Sequence, residues 1–342
     1  MGDITICVVA ALLVLLSGLF MRRLVRTTLK GRATKLILGN LLALVFLLST
    51  LFFCGEMYYR FIFDKPDPYG VTRATWRWFA RHFQYNRMGL RDNMEYSPTM
   101  LPGKRRISFL GDSFTAGHGV GRPEDRMVNL VRARRPDWDV HCLAKVGVDT
   151  PHEIKMIEWV TTLGYQFDTV VLMYCLNDVA ALSPGYEDAC RRIYLKQQNE
   201  GFLLKHSYLV NTLYYRVAIR SQPDIADYYG FVRDAYKPEN WSAEEDQLKL
   251  LHDLVASRNG RLMVVIYPFF HLVGRDYPYT EAHRKVAGFC ASNSIPCLDL
   301  YDVYSGRKPG DLVVSRYDSH PNEKANAIAV EPIIKFVGTH LK

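Results

Sequence analysis

Two segments far apart in the chain carry residue types that together could perform nucleophilic catalysis. Residues 111–113 are Gly-Asp-Ser, and residues 318–320 are Asp-Ser-His. A serine hydroxyl is a weak nucleophile at neutral pH and needs an adjacent base. A histidine can be that base when a carboxylate orients its ring and stabilises the imidazolium. The two segments are compatible with Ser113 as nucleophile, His320 as general base and Asp318 as the orienting acid, but a Gly-Asp-Ser triplet is also an ordinary turn and a lone histidine is more often structural.

The position of the serine supports this interpretation. A short apolar run at residues 107–110 precedes it and is typical of a buried strand. In parallel sheets, ligands bind at the carboxyl ends of strands, so a serine there would face the cleft. The nucleophile elbow of α/β-hydrolases needs a glycine two residues after the serine. Thr115 occupies that position, which disfavours that family.

These segments resemble the SGNH, or GDSL, hydrolase superfamily, which is defined by four sequence blocks. The first block matches Gly111, Asp112 and Ser113, with Phe114 where the family has its name-giving leucine. The second block supplies a glycine, which matches Gly147 after the second predicted strand. The resemblance extends over about residues 105–342.

The third block of the family is Gly-x-Asn-Asp, and it matches Asn177 and Asp178 with Cys175 in place of the glycine. The resemblance implies that the backbone N–H groups of Ser113 and Gly147, together with the Asn177 side chain, form an oxyanion hole. It implies acyl transfer through an acyl-enzyme, with no metal and no cofactor.

The fourth block is usually Asp-x-x-His, and here it is shortened. Tyr317 stands three residues before His320, whereas Asp318 stands two residues before it. The alternatives to Asp318 are a Ser-His dyad or another acid such as Asp311.

Strands alternating with helices predict an α/β fold. We expect a flavodoxin-like three-layer α/β/α sandwich with a five-stranded parallel sheet, preceded by two transmembrane helices. The predicted strands are 107–110, 140–144, 169–174, 262–267 and 296–300. Three of the predicted helices have both ends assigned, at 123–135, 281–293 and 322–337, and the last continues through or kinks at Pro332. Two more are predicted from their starts, one at Pro151 and one at a capping box of Ser242 and Glu245.

Two apolar runs near the N-terminus, residues 4–20 and 36–54, contain no charged residue. Both approach the roughly 20 residues that cross a bilayer core. A buried core helix would usually show a polar face, and neither run does. A cleaved signal peptide is disfavoured, because no basic residue precedes the first run and Arg22 and Arg23 follow it directly.

The loop at residues 22–35 between these runs is basic and contains no acid: Arg22, Arg23, Arg26, Lys30, Arg32 and Lys35. Short basic loops stay in the cytoplasm, so we expect the catalytic domain on the extracytoplasmic side. This loop explains most of the net charge of +8, so a nucleic-acid partner is poorly supported.

We therefore expect a membrane anchor at residues 1–55, a juxtamembrane bridge at 56–104 and a hydrolase domain at 105–342. The aromatic residues of the bridge could lie at the bilayer interface, pack on the domain or stack on glycans. None of the seven cysteines forms a CxxC pair. Cys290 and Cys297 are the nearest candidates for a disulfide, although single buried thiols are the commoner case.

The resemblance leaves the substrate open. The anchor suggests a bacterial envelope protein whose substrate is an acyl ester, favouring an esterase that cleaves acetyl esters of an envelope glycan or lipid. The alternatives are an O-acyltransferase acting on an extracellular polysaccharide, or a lipase or lysophospholipase. A non-catalytic binding domain is disfavoured by the intact serine, asparagine and histidine. No protein partner is indicated.

Overall fold

A computed structural model describes residues 2–26, 31–221, 228–274 and 276–341. Lys30 of the basic loop lies outside the described residues. The chain begins with two long helices, α1 (Gly2–Arg26) and α2 (Arg32–Met57). They pack antiparallel, since Gly18 lies against Phe46 and Gly39 against Leu24.

Both helices are long and apolar enough to cross a membrane, over Ile4–Leu24 and Arg32–Ile62. Their apolar side chains point outward: Ile4 is 70% and Ile37 71% exposed. A soluble core helix would bury such residues, so this exposure fits two lipid-facing spans. Which side of the membrane holds the rest of the chain stays a prediction.

The centre of the remaining chain is a five-stranded parallel sheet with strand order β2-β1-β3-β4-β5. This is the flavodoxin-like order, so the predicted fold class is confirmed. The strands are β1 (Arg105–Gly111), β2 (Trp138–Ala144), β3 (Thr169–Cys175), β4 (Arg261–Tyr267) and β5 (Cys297–Asp299). β2 and β3 are wholly buried, which explains the nearly continuous apolar sequence of β3, whereas β2 also buries Asp139 and His141.

Helices cover both faces of the sheet. The chain passes from β1 to β2 in one direction and from β2 to β3 in the other, so right-handed crossovers place the intervening helices on opposite faces. These helices are α5 (Met127–Arg134) and α6 (Thr150–Thr162). The last helix, Glu323–His340, packs against α5, begins at the cap Asn322 and continues through Pro332.

Two predicted helix starts are wrong. The predicted helix 123–135 is broken at Arg126, whose backbone is extended and whose fully buried guanidinium donates to Asn129 Oδ1 and the Arg91 carbonyl. The capping box at Ser242 does not open a helix, because that helix, Pro238–Ser257, begins one turn earlier. Proline at the first helical position has a suitable φ and needs no N–H partner there.

The insertion after β3 is largely helical. It contains α7 (Tyr186–Gln198), α8 (Phe202–His206), α9 (Tyr208–Ser221) and the helix Tyr228–Ala235. α8 packs on α1 and α9 on α2, so the insertion lies at the end of the two long helices.

The bridge 56–104 contains a π-turn at Tyr58–Ile62 and α3 (Arg73–His82). Its aromatic residues divide between two environments. Trp78 is 1% exposed and packs on the domain, whereas Trp76 and Phe61 are 50% and 60% exposed. All seven cysteines lie in the described part of the chain and carry free thiols, so the suggested Cys290–Cys297 disulfide is absent there.

Candidate active site

Ser113 lies at the tight turn that joins β1 to a one-turn helix, α4 (Ser113–Ala116). The Asp112 side chain caps this helix by accepting the Phe114 N–H at 2.8 Å. Gly111 is required for the turn, because an added Cβ would lie 2.4 Å from Thr115 Oγ1. The strand therefore ends with its serine at the carboxyl edge of the sheet, where parallel sheets bind ligands.

His320 and Asp318 lie on a small antiparallel hairpin, β6 (Val313–Ser315) and β7 (Asp318–Pro321), just before the last helix. His320 Nε2 is 2.9 Å from Ser113 Oγ, and Nδ1 is 2.5 Å from Asp318 Oδ1. Alternate residues of a strand share a face, which is why an acid two residues before the histidine can reach its ring. The structure thus brings Ser113, His320 and Asp318 into one hydrogen-bonded chain.

The buried Asp318 carboxylate determines the charge state of this hydrogen-bonded triad. Burial would raise the pKa of Asp318, but His320 and His118 hold it below its usual range. Burial lowers the pKa of His320, yet the Asp318 carboxylate outweighs this and raises it above its ordinary value. A base must be neutral to accept a proton, so these shifts predict an enzyme that loses activity on acidification.

His118 is a site residue that the sequence analysis missed. Its Nε2 lies 3.1 Å from Asp318 Oδ2, and its ring stacks on His320 with centroids 4.0 Å apart. Trp78 and Phe79 of α3 pack against the same ring. Burial and the neighbouring His320 lower the pKa of His118 to about 4, so it is neutral at physiological pH and donates through Nε2–H.

The only sequence signal for His118 is its place between Gly117 and Gly119, five residues after the serine. Both glycines have positive φ, 76° and 86°. The ligand atoms of His118, Asp318 and His320 lie within 4.8 Å of one another, the spacing of a metal site. Both carboxylate oxygens already accept imidazole N–H groups, however, so hydrogen bonding explains this cluster without an ion.

The two other predicted oxyanion-hole residues follow the strands on either side of Ser113. Gly147 lies in the loop after β2, with a φ of +74°, and Ala144 at the end of β2 pairs with Gly111. Asn177 lies two residues after the end of β3, is half-buried, and its Oδ1 has no hydrogen-bond partner among the described residues. The ends of three adjacent strands thus carry Gly147, Ser113 and Asn177.

Asp178 supports this edge structurally. Its Oδ2 accepts the Cys175 N–H at 2.8 Å, which closes the turn after β3. The φ of Cys175 is not positive, so the turn does not need the glycine that SGNH hydrolases usually have at this position. Burial and the neighbouring Glu153 and Asp112 raise the pKa of Asp178 well above its ordinary value, so this carboxyl is suited to packing rather than to charge.

Buried acids lie behind the site, and nothing in the sequence indicated their clustering. Burial raises the pKa of Asp112 and of Glu153, whose two oxygens have no partner among the described residues. Burial raises the pKa of Glu244 to about 8, although Thr150 donates to it at 2.6 Å. Because these carboxyls favour their neutral forms, Asp318 is the main negative charge beside His320.

A cavity of about 440 Å³ lies beside the loops that carry Gly147 and Asn177. Asp149 and Ala181 border it on the loop side, and residues of α7, including Tyr186 and Tyr194, form its other wall. Aromatic side chains in a concave site suit either an acyl chain or a sugar ring.

No protein-family model and no curated protein matches the chain. Among solved structures it is similar to a member of the lipolytic protein G-D-S-L family from Veillonella parvula, at 14% identity and a TM-score of 0.42. That match covers 68% of this chain and 97% of the other.

A putative acylhydrolase from Bacteroides fragilis matches at 13% identity and a TM-score of 0.42, over 72% of this chain and 92% of that one. A two-domain esterase active on acetylated mannans matches at 16% identity and a TM-score of 0.38, over 69% of this chain but only 50% of the esterase. Similarities of this size carry no argument about activity, which rests on the site itself.

Proposed function

We propose that the protein is a membrane-anchored serine esterase of the SGNH hydrolase type. The observation that carries the proposal is the continuous hydrogen-bonded chain from Ser113 Oγ through the His320 ring to Asp318, with 2.9 Å and 2.5 Å contacts. A hydroxyl, a base and an orienting acid at these distances are the components of an activated nucleophile.

In the proposed reaction, Ser113 Oγ attacks the ester carbonyl carbon while His320 Nε2 takes the hydroxyl proton. Asp318 stabilises the imidazolium that forms. The oxyanion accepts hydrogen bonds from the Ser113 and Gly147 N–H groups and the Asn177 amide, each worth about 3 kcal/mol of barrier. His320 then protonates the leaving alkoxide, and a water activated by the same nitrogen releases the acyl group.

We further propose an acetyl or other short acyl ester of an envelope glycan or lipid as the substrate. The outward-facing apolar side chains of α1 and α2 support an anchor at residues 1–55, and the bridge 56–104 would hold the domain 105–342 close to the membrane. The basic loop supports an extracytoplasmic active site. Tyr186 and Tyr194, which line the cavity, offer aromatic rings on which a sugar ring could stack.

The test uses the full-length protein in detergent with p-nitrophenyl esters of short and long chains. We expect cleavage of the acetyl ester by the wild type and its loss in Ser113→Ala. Activity restricted to long chains would replace this proposal with a lipase or lysophospholipase.

A second assay supplies an acetyl ester together with a sugar acceptor and measures free acetate and acetylated sugar. Hydrolysis and transfer share the acyl-enzyme and differ only in what attacks it. Free acetate is the expected product. Acetylated sugar as the main product would make the protein an O-acyltransferase.

A further inference from the structure

Helix α9 (Tyr208–Ser221) buries two polar side chains against the protein, whereas large apolar side chains on another side of the helix are exposed. Asn211 and Thr212 are 1% and 0% exposed, whereas Leu213 and Val217 are 48% and 67% exposed. A surface helix of a soluble protein has the opposite arrangement, with its apolar stripe toward the core. The reversed pattern indicates an apolar environment on the outer side of α9.

Specific contacts fix this orientation. Asn211 Oδ1 accepts the Arg73 N–H at 2.8 Å, and its amide donates to the Leu204 carbonyl at 2.9 Å. Arg216 Nε donates to the buried Asp67 at 2.8 Å. Rotating the helix to cover its apolar face would break these bonds and leave Asp67 buried without its cation.

The apolar surface continues onto the neighbouring elements. Phe202 and Leu203 of α8 are 55% and 54% exposed, and Phe61 and Ile62 of the π-turn are 60% and 69% exposed. α8 packs against α9, and α9 packs against the π-turn. We call these four residues with Leu213 and Val217 the apolar face.

A buried carboxylate joins this face rigidly to the end of α2. Glu56 is 0% exposed and caps α9, accepting the Tyr208 and Leu209 N–H groups at 3.1 and 3.0 Å. A carboxylate at a helix N-terminus is favoured by the helix dipole. Gly55 allows the close approach, since an added Cβ would lie 2.9 Å from the Leu209 side chain.

Basic and aromatic side chains cluster where the end of α2 meets the start of α9. The guanidinium groups of Arg60, Arg73 and Arg77 lie 4.6, 5.0 and 5.5 Å from the centre of the Tyr208 ring. Aromatic residues are enriched at the membrane–water interface, and long basic side chains near helix ends extend to it. This places the head-group level at the junction of α2 and α9.

We propose that the apolar face lies in the outer leaflet interface of the bilayer, as a third membrane contact beside α1 and α2. With 14 residues, α9 is about 21 Å long, too short to span the bilayer core, so it lies along the surface. The occupant is lipid because the face is continuous with the two long helices. This inference rests on the membrane anchoring in the proposed function.

The test places an environment-sensitive fluorescent amino acid at one position at a time in the full-length protein. The protein is reconstituted in phosphatidylcholine vesicles with or without a lipid that carries a nitroxide quencher near its head group. The test position is Val217. Leu41, 55% exposed on α2, reports the anchor, and Leu250, 56% exposed on the helix Pro238–Ser257, is the matched control.

We expect the lipid nitroxide to quench position 217 several-fold more than position 250, and aqueous iodide to quench only position 250. If position 217 behaves like 250 while position 41 stays protected from iodide, the anchor holds and the inference is wrong. If neither quencher reaches position 217, another protein surface covers the face and the inference is wrong. If iodide quenches all three positions, the anchoring fails as well.

Discussion

Replacing Asp318 with asparagine separates the roles of its two oxygens. In the wild type, Oδ1 faces His320 Nδ1 and Oδ2 faces His118 Nε2, so both oxygens accept N–H groups. Asparagine offers one oxygen and one NH₂ group of nearly the same shape. The NH₂ must face one of the histidines, and the carboxylate charge beside His320 is lost.

The expected loss follows from these contacts. The same substitution in a well-characterised Ser-His-Asp triad lowers kcat about 10⁴-fold by imposing the wrong tautomer on the base. At 1.36 kcal/mol per tenfold, that is about 5 kcal/mol of barrier. His118 Nδ1 has no partner among the described residues, so His118 can change tautomer and accept the amide. The amide oxygen can then still accept the His320 Nδ1–H, so that mainly the carboxylate charge is lost, and we expect a smaller loss of about 10³-fold for Asp318→Asn.

The direction in which the pH profile shifts distinguishes loss of the Asp318 carboxylate from a structural defect, which would not move the profile. In the wild type the pKa of His320 lies above its ordinary 6.5, so activity should fall on acidification from above that pH. Without the Asp318 carboxylate, burial still lowers this pKa while the main raising influence is gone. The acid limb of kcat/KM should therefore move to lower pH as the plateau falls.

The assay is kcat/KM for p-nitrophenyl acetate from acid to alkaline pH, with thermal unfolding to verify the fold. Asp311→Asn is the matched control, because Asp311 is 54% exposed and pairs with Lys324 at 3.0 Å. It should stay within a few-fold of wild type. Near-normal activity of Asp318→Asn, or a large loss in Asp311→Asn, would refute the assignment of the acid.

Three further substitutions test the surroundings of the site. His118→Phe should lower kcat about 10- to 100-fold, because it removes a hydrogen bond of about 1.5–3 kcal/mol to the Asp318 carboxylate. His118→Gln, which can still donate a hydrogen bond, should retain most of the wild-type kcat. Equal losses of kcat in the two variants would contradict this role of His118. Burial raises the pKa of Glu244 from 4.5 to about 8, so the folded state binds an extra proton and stability falls as pH rises between these values. Glu244→Gln should raise the free energy of unfolding by about 3 kcal/mol at pH 7 and flatten its pH dependence, and an unchanged dependence in denaturant unfolding would rule this out. Gly119→Ala should lower the free energy of unfolding by about 1–3 kcal/mol and should also lower turnover, because the added Cβ would lie 2.1 Å from Val314 on the hairpin that carries His320. Adding Val314→Ala should restore part of the stability and part of the turnover. Thermal unfolding and ester kinetics measure the two effects.

The sequence was sufficient to predict those site residues that lie just after a buried strand. Apolar runs located β1 and β3, and polar residues just after them placed Ser113 and Asn177 at the same edge. The shortened spacing of Asp318 and His320 could not be interpreted without knowing that residues 318–321 form a strand, in which alternate side chains share a face.

His118 could not be found from the sequence because a single histidine between glycines has no periodic pattern. Its role depends on a contact with Asp318, 200 positions away in the chain. Helix α9 could not be interpreted for a different reason. Periodicity shows that a helix has an apolar side, but not whether that side faces the core or lipid. Ser242 failed as a cap because Pro238 starts the helix one turn earlier.

Labelling with an organofluorophosphonate tests the proposed nucleophile most directly, because the probe reacts only with an activated serine. The full-length wild type should be labelled at Ser113, identified by mass spectrometry of its peptide. Ser113→Ala should not be labelled, and Ser319→Ala, which removes the serine between the other two site residues, should be labelled like the wild type. Labelling that persists in Ser113→Ala, or that maps to another residue, would contradict the proposed mechanism.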